Sequence, residues 1–243
     1  GDVIVAAYPG GADFPQREGS YVRQGSIGIF KVDASARVTA LSPSLDPAIQ
    51  TVRAIACDKS GAIYLTGVAA SGLATSANAP IATLGAGASA PFLMKLSPAG
   101  LPVYSTFLTT PKSRPSGTHD IGQGKNDADT TSLAIAVDSA GNVYVAGQST
   151  AADFPATPGA LDTNDSTNRD AFVVKVNAPG TAISFVARVG FRDIDRATAI
   201  ALEPDGTIIV AGKSASVDDF LGSYSFQPGV HFSQNNTQTM RVD

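Results

Sequence analysis

Apolar and polar positions fall in blocks that return along the chain. Leu133 to Gly147, LAIAVDSAGNVYVAG, is an apolar run, a four-residue polar turn ending in Gly, and a β-branched or aromatic run; RAIACDKSGAIYLTG (Arg53 to Gly67) and TAIALEPDGTIIVAG (Thr198 to Gly212) repeat it. GDVIVAA, Gly1 to Ala7, fits its second half. This pattern predicts a strand, a tight hairpin and a strand. Gly61, Gly141 and Gly206 are expected at positive φ, where a residue without Cβ closes the turn free of strain.

Each repeat continues with further strand-like runs. The first supplies VIVAAY, GIFKVD (Gly28 to Asp33) and ARVTALS (Ala36 to Ser42); the second supplies AIAC, AIYLTG, PFLMKLSPAG (Pro91 to Gly100) and LPVYSTFL (Leu101 to Leu108). The third supplies AIAV, NVYVAG, AFVVKVNAPG (Ala171 to Gly180) and AISFVARVG (Ala182 to Gly190), and the fourth AIAL and TIIVAG before MRVD, Met240 to Asp243. Equivalent glycines, with Gly1 as the first, are 60, 80 and 65 residues apart. The longest excess, residues 109–132, is rich in Gly, Pro, Ser and charge without periodicity and is expected as a surface insertion.

Four-stranded units repeated at this spacing predict an all-β fold, a β-propeller of antiparallel blades with about 3.5 blades present. The expected blades are residues 1–50, 51–108, 131–190 and 196–243, in one propeller domain or part of one. A β-helix is the structural alternative, but its coils are shorter. Runs apolar on both faces suit sheets sandwiched between neighbours, and Ala54, Ala134 and Ala199 suit close approach near a crowded axis. Fourteen strands are expected, with strand one missing from the first repeat and strand four from the last, so the ring does not close by itself. The expectation is a longer polypeptide, or edges covered by another chain.

Composition narrows the field. A charged fraction of 16% and a net charge of −4 give no basic field for nucleic acid or an anionic membrane. A run of roughly 20 apolar residues, which a membrane helix needs, is absent from the sequence. No signal-peptide core stands at its start. The single cysteine, Cys57, excludes an internal disulfide and a cysteine zinc cluster, and is expected as a buried core thiol.

AIAVDSAGNVYVAG, ADFPATPGAL and RDAFVVKVNAPG together resemble the bacterial β-propeller repeat known as the seven-bladed, or SBBP, repeat. The resemblance covers nearly all the chain outside 109–132; repeat two lacks the Asp-Phe-Pro element and repeat four has Asp219-Phe220-Leu221 there. It implies a secreted or envelope-associated bacterial propeller and carries over no catalytic residue. Asp170 stands where that family often caps strand three.

The remaining constellations have plain structural explanations. Phe14, Phe154 and Phe220 are expected to plug gaps between blades, with Asp13 and Asp153 capping turns and Pro15 and Pro155 stiffening them. Lys31, Lys95, Lys175 and Arg241 recur near the end of strand three; an anion-binding ring is the alternative to stems that reach from a packed sheet to its rim. LDTNDSTNRD, Leu161 to Asp170, has alternating oxygen side chains but Thr167 and Val173 at the positions of the EF-hand Gly and Glu, so that calcium pattern fails. His119 and His231 occupy non-equivalent places, and the carboxylate pairs Asp218-Asp219 and Asp127 with Asp129 are ordinary for surface loops. No catalytic, cofactor-binding or metal residue is assigned.

The expected function is a non-catalytic interaction or scaffold module of the cell envelope or extracellular space, with another protein or a larger envelope complex as partner and a glycan as a further candidate. A propeller enzyme, hydrolase or lyase, with a central-channel site and a calcium-stabilised adhesion module are the alternatives.

Overall fold

The computed structural model describes residues 2–7, 27–42, 45–110, 133–149, 154, 157, 170–189, 195–214, 230–233 and 238–242. Among them are fifteen strands and no helix. Sheet 1 is β1 (Val3–Ala7), β2 (Gly28–Val32) and β3 (Val38–Ser42). Sheet 2 is β4 (Ile49–Cys57), β5 (Ile63–Ala70), β6 (Ser89–Leu96) and β7 (Pro102–Phe107). Sheet 3 is β8 (Leu133–Val137), β9 (Val143–Ser149), β10 (Asp170–Val176) and β11 (Ile183–Val189). Sheet 4 is β12 (Asp195–Leu202), β13 (Ile208–Ser214), β14 (Val230–Ser233) and β15 (Gln238–Val242). All paired strands are antiparallel, and each sheet is a propeller blade.

Sheet 4 departs from the repeat. Its order is β12-β13-β15-β14, so β15 takes the third position and β14, earlier in the chain, takes the outer one. The fourth blade therefore does not lack an outer strand, and the count of fourteen strands is corrected to fifteen. The physical reason is visible in sheet 2, where the loop after β5 returns along the outer strand: Ser76 N donates to Ser105 O at 2.9 Å, and Phe107 N donates to Ile81 O at 3.1 Å. In sheet 3, Thr157 Oγ1 accepts from Val186 N at 3.0 Å. The segment between strands two and three thus satisfies edge backbone groups in sheets 2 and 3, and in sheet 4 it has become a full strand.

Successive side chains of a strand point to opposite faces, and both faces are buried in the middle of the stack. Ile63 and Leu65 of β5 pack toward sheet 1 in a cluster with Ile29, Phe92 and Met94, while Tyr64 packs toward sheet 3 with Val143, Val145, Phe172 and Val174. One sheet further, Tyr144, Ala146 and Val173 face sheet 4 and meet Ile208 and Val210. The chain thus has three cores, one between each pair of neighbouring sheets, with a fully buried aliphatic side chain contributing about 1.5–3 kcal/mol. The first strands stand together, β4 beside β8 and β8 beside β12. Ala54 and Ala134 are half-buried there and Ala199 is exposed.

The hairpins close as the pattern requires. Gly61, Gly141 and Gly206 have φ of 82°, 85° and 94°. In each, the glycine N–H donates to the carbonyl three residues back, as in Gly141 N to Asp138 O at 3.0 Å.

Candidate functional site

An open groove of about 540 Å³ runs between the turn ends of sheets 2 and 3, bordered by Cys57, Asp58, Lys95, Asp138, Gly141 and Ala178. Its floor comes from the repeat itself. Asp58 and Asp138 open the hairpins after β4 and β8, where a carboxylate can accept from the backbone two and four residues on. Asp58 Oδ1 accepts from Ser60 N (2.8 Å), Ser60 Oγ (2.6 Å) and Ala62 N (3.1 Å), while Oδ2 accepts from Tyr64 Oη at 2.9 Å. Asp138 Oδ1 accepts from Ala140 N (3.0 Å) and Asn142 N (2.8 Å), and its Oδ2 from Asn142 Nδ2 (2.8 Å) and Tyr144 Oη (3.2 Å).

These bonds set the electrostatics. Partial burial, the largest single influence on either carboxyl, pushes it upward, but the hydrogen bonds together outweigh it and hold both below the usual carboxylate range. Tyr64 is driven far up, by burial first and by its bond to the Asp58 carboxylate second. The lysines complete each unit: Lys95 Nζ lies 4.9 Å from the centroid of the Tyr64 ring, and Lys175 Nζ stands at the same distance over Tyr144. Sheets 2 and 3 thus each carry an Asp-Tyr-Lys stack, with the phenol bonded at one end and covered by a cation on its face. Lys31 instead pairs with Asp2 at 3.2 Å, and the side chain of Arg241 lies outside the described residues. The recurring cations of sheets 2 and 3 are therefore engaged within their own blades.

Cys57 is exposed at the end of β4, which corrects its assignment to the core. As the last residue of β4 it borders the open groove between sheets 2 and 3. Its thiol is nevertheless pushed up, by partial desolvation first and by the Asp58 charge second.

Phe154 packs between sheets 2 and 3, its ring 4.9 Å from that of Phe172 and tilted by 42°. Phe14, Phe220, His119, Asp13, Asp153, Pro15, Pro155, Asp127, Asp129, Asp218, Asp219 and residues 161–169 lie outside the described residues, as does the insertion from residue 111 to 132. Asp170 begins β10 and His231 lies in β14, with side chains outside the described set. Among the described residues no three His, Cys, Asp or Glu side chains converge as a metal site, and no helix is long and apolar enough to cross a membrane.

Sequence reasoning passed over the Asp-Tyr bond, although Asp58 with Tyr64 and Asp138 with Tyr144 share a spacing of six residues that was open to view. It also passed over Tyr104 and Gln148, whose hydroxyl and amide are buried without a hydrogen-bond partner.

One comparison with known proteins agrees with this architecture. Residues 123–155 match the family model of the beta-propeller repeat SBBP. The match begins inside the segment assigned to the insertion, so the last ten residues of that segment carry repeat character. No curated protein matches the chain. Among solved structures, a luciferin-regenerating enzyme is 12% identical with a TM-score of 0.37, over 100% of this chain and 57% of its own. A thermostable family-43 glycoside hydrolase is 11% identical with a TM-score of 0.30, over 92% of this chain and 69% of its own. A glucose dehydrogenase is 10% identical with a TM-score of 0.31, over 100% and 78%. The chain spans little more than half the length of the luciferin-regenerating enzyme, and likenesses at this level carry no chemistry across. Four stacked antiparallel sheets and the matched repeat make this chain an all-β propeller protein that carries an SBBP beta-propeller repeat.

Proposed function

We propose that the chain is a non-catalytic interaction module, a secreted or envelope-associated propeller that holds non-repeated loops toward another protein of a larger assembly. What supports this reading is the state of the repeated polar groups. Asp58, Tyr64 and Lys95 bind one another, as do Asp138, Tyr144 and Lys175, so the chemistry that recurs serves the turns. A general acid or base works best with a pKa near the operating pH, and both carboxyls are held on the far side of their usual range. Chain-specific variety is concentrated in the segment 111–122 and in residues 158–169.

The test replaces residues 111–122, which precede the matched repeat, with a short Gly-Ser linker, keeping Thr109, which is fully buried. The expected result is an unchanged melting temperature and weakened binding to the protein captured from the envelope fraction of the native source, measured by direct titration with that purified protein. Equal affinity removes this loop as the contact. Turnover of a bound glycan or small molecule by the intact chain overturns the non-catalytic assignment.

A further inference from the structure

Three side chains with chemistry of their own depart from the repeat, and all three meet at the groove between sheets 2 and 3. Cys57 stands where the third and fourth repeats have Val137 and Leu202, and Lys59 where they have Ser139 and Pro204; both border the groove. Tyr104 pairs with Lys95 across β6 and β7, the place that Phe185 takes beside Lys175 in sheet 3. Groove residues bracket its ring, with Lys95 beside it on its own sheet and the hairpin of Ala178 and Gly180 against it from sheet 3. Tyr104 is 5% exposed, and its hydroxyl, the atom that Phe185 does without, has no hydrogen-bond partner. Donors are therefore in excess here. Asp58 and Asp138 have both oxygens engaged by their turns and by Tyr64 and Tyr144. Among the described residues neither Lys59 nor Lys95 has a carboxylate partner, and an ammonium held over a ring face keeps its N–H donors.

We propose that this groove binds a small organic carboxylate, held between the ammonium groups of Lys59 and Lys95 with the Tyr104 hydroxyl as a third donor. Hydrogen bonds from a cation to a carboxylate are the strong kind, and a volume of about 540 Å³ is ordinary for a small-molecule site. The floor selects the charge of the ligand. Asp58 and Asp138 offset the two lysines, so a monoanion is accommodated while a phosphate dianion meets two fixed carboxylates at short range. Lys95 lies between Tyr64 and Tyr104 in the row that crosses β5, β6 and β7. Turning its ammonium from the Tyr64 ring toward the ligand opens the Tyr104 phenol to the same carboxylate. The site is separate from residues 111–122, so its test and that of the proposed partner contact are independent.

Cys57 reports occupancy, because its exposed thiol borders the same groove. The experiment alkylates the 243-residue chain with iodoacetate, which carries a carboxylate, and with neutral iodoacetamide. In both reactions the thiolate sulfur bonds to the methylene carbon as the carbon–iodine bond breaks; iodide leaves and the thiol proton passes to solvent. The neighbouring Asp58 by itself disfavours the anionic reagent, so the sign of the effect is diagnostic. The expected ratio of iodoacetate to iodoacetamide rates is about tenfold above that of free cysteine. The iodoacetate rate should saturate with reagent, and acetate should suppress it more than inorganic phosphate does at equal ionic strength. Lys59→Gln, a change at an exposed side chain, and Tyr104→Phe, which copies Phe185 of sheet 3, should each lower the ratio toward that of free cysteine with circular dichroism unchanged. A parent ratio at or below that of free cysteine overturns the proposal. So does a raised ratio indifferent to both substitutions, or stronger protection by phosphate than by acetate.

Discussion

Gly180 lies under the ring of Tyr104 so closely that a Cβ at Gly180 would stand 2.5 Å from two of the ring carbons. The glycine closes the β10–β11 hairpin of sheet 3 with φ of 73°, and the tyrosine belongs to β7, the outer strand of sheet 2. Gly100 leans in the same way on Leu41 of sheet 1, with a Cβ there 2.6 Å from the Leu41 carbonyl. The outer hairpins of sheets 2 and 3 therefore lock each to the preceding sheet through a residue with no side chain.

Gly180→Ala should destabilise the chain by about 2–4 kcal/mol, since it adds a steric conflict with Tyr104 to an unfavourable backbone conformation. Tyr104→Phe should do the opposite: its hydroxyl is buried without a partner, and removing it should add about 1 kcal/mol. Denaturant unfolding of the two variants checks both signs. A neutral Gly180→Ala would mean that the two sheets do not meet at this point.

Gly141→Val should cost about 1–3 kcal/mol while Ala140→Val stays close to neutral. Gly141 needs its φ of 85°, whereas Ala140 is exposed. The space around Gly141 is tight but not closed, with a Cβ there 3.4 Å from Ala178 Cβ, so backbone strain should dominate. Melting temperatures compare them directly, and equal values would contradict the turn geometry.

Asp58 and Asp138 make stability depend on acid. Their folded-state values lie below the ordinary 3.8, so each adds stability that is fully present above the unfolded value and is lost as pH falls through the folded one. The melting temperature should drop as pH is lowered below about 4, and the double variant Asp58→Asn, Asp138→Asn should show a shallower acid fall from a lower starting point. Identical acid limbs for parent and variant would show that the turn carboxylates are not responsible.

Cys57 should be alkylated completely in the folded chain, because it is exposed. At pH 8 the reaction should run more slowly than for free cysteine, since partial desolvation and Asp58 keep less of the thiol ionised. Labelling that requires denaturant would return Cys57 to the core.

Much of this was legible because repetition averages out local ambiguity. Three copies of an Asp/Glu-x-x-Gly turn between apolar runs identified hairpins that one copy would only have suggested, and the two-faced apolar runs implied stacked sheets. Contacts between repeats left weaker traces. Gly180 is an unremarkable turn glycine until Tyr104 is seen beside it, and the placement of Cys57 turned on where β4 runs out of cover, which polarity alone does not show. The fourth sheet misled for a related reason: MRVD resembles strand three, as β15 is, but the outer strand came from a segment without repeat character. The groove was hidden because Asp58, Lys95 and Asp138 belong to two repeats that meet only in space.

The sheets form a row, each held by the faces it buries on its neighbours. Backbone hydrogen exchange of the chain is the decisive measurement, since β1 repeats the sequence role of β5 and β9 but, among the described residues, has a neighbouring sheet on one side only. The slowest amides should lie in β5, β6, β9 and β10, covered on both faces, with β1 markedly faster and the two central sheets losing protection together on addition of denaturant. Protection in β1 equal to that in β9, or protection concentrated in one sheet while its neighbours exchange like loops, would contradict the stack.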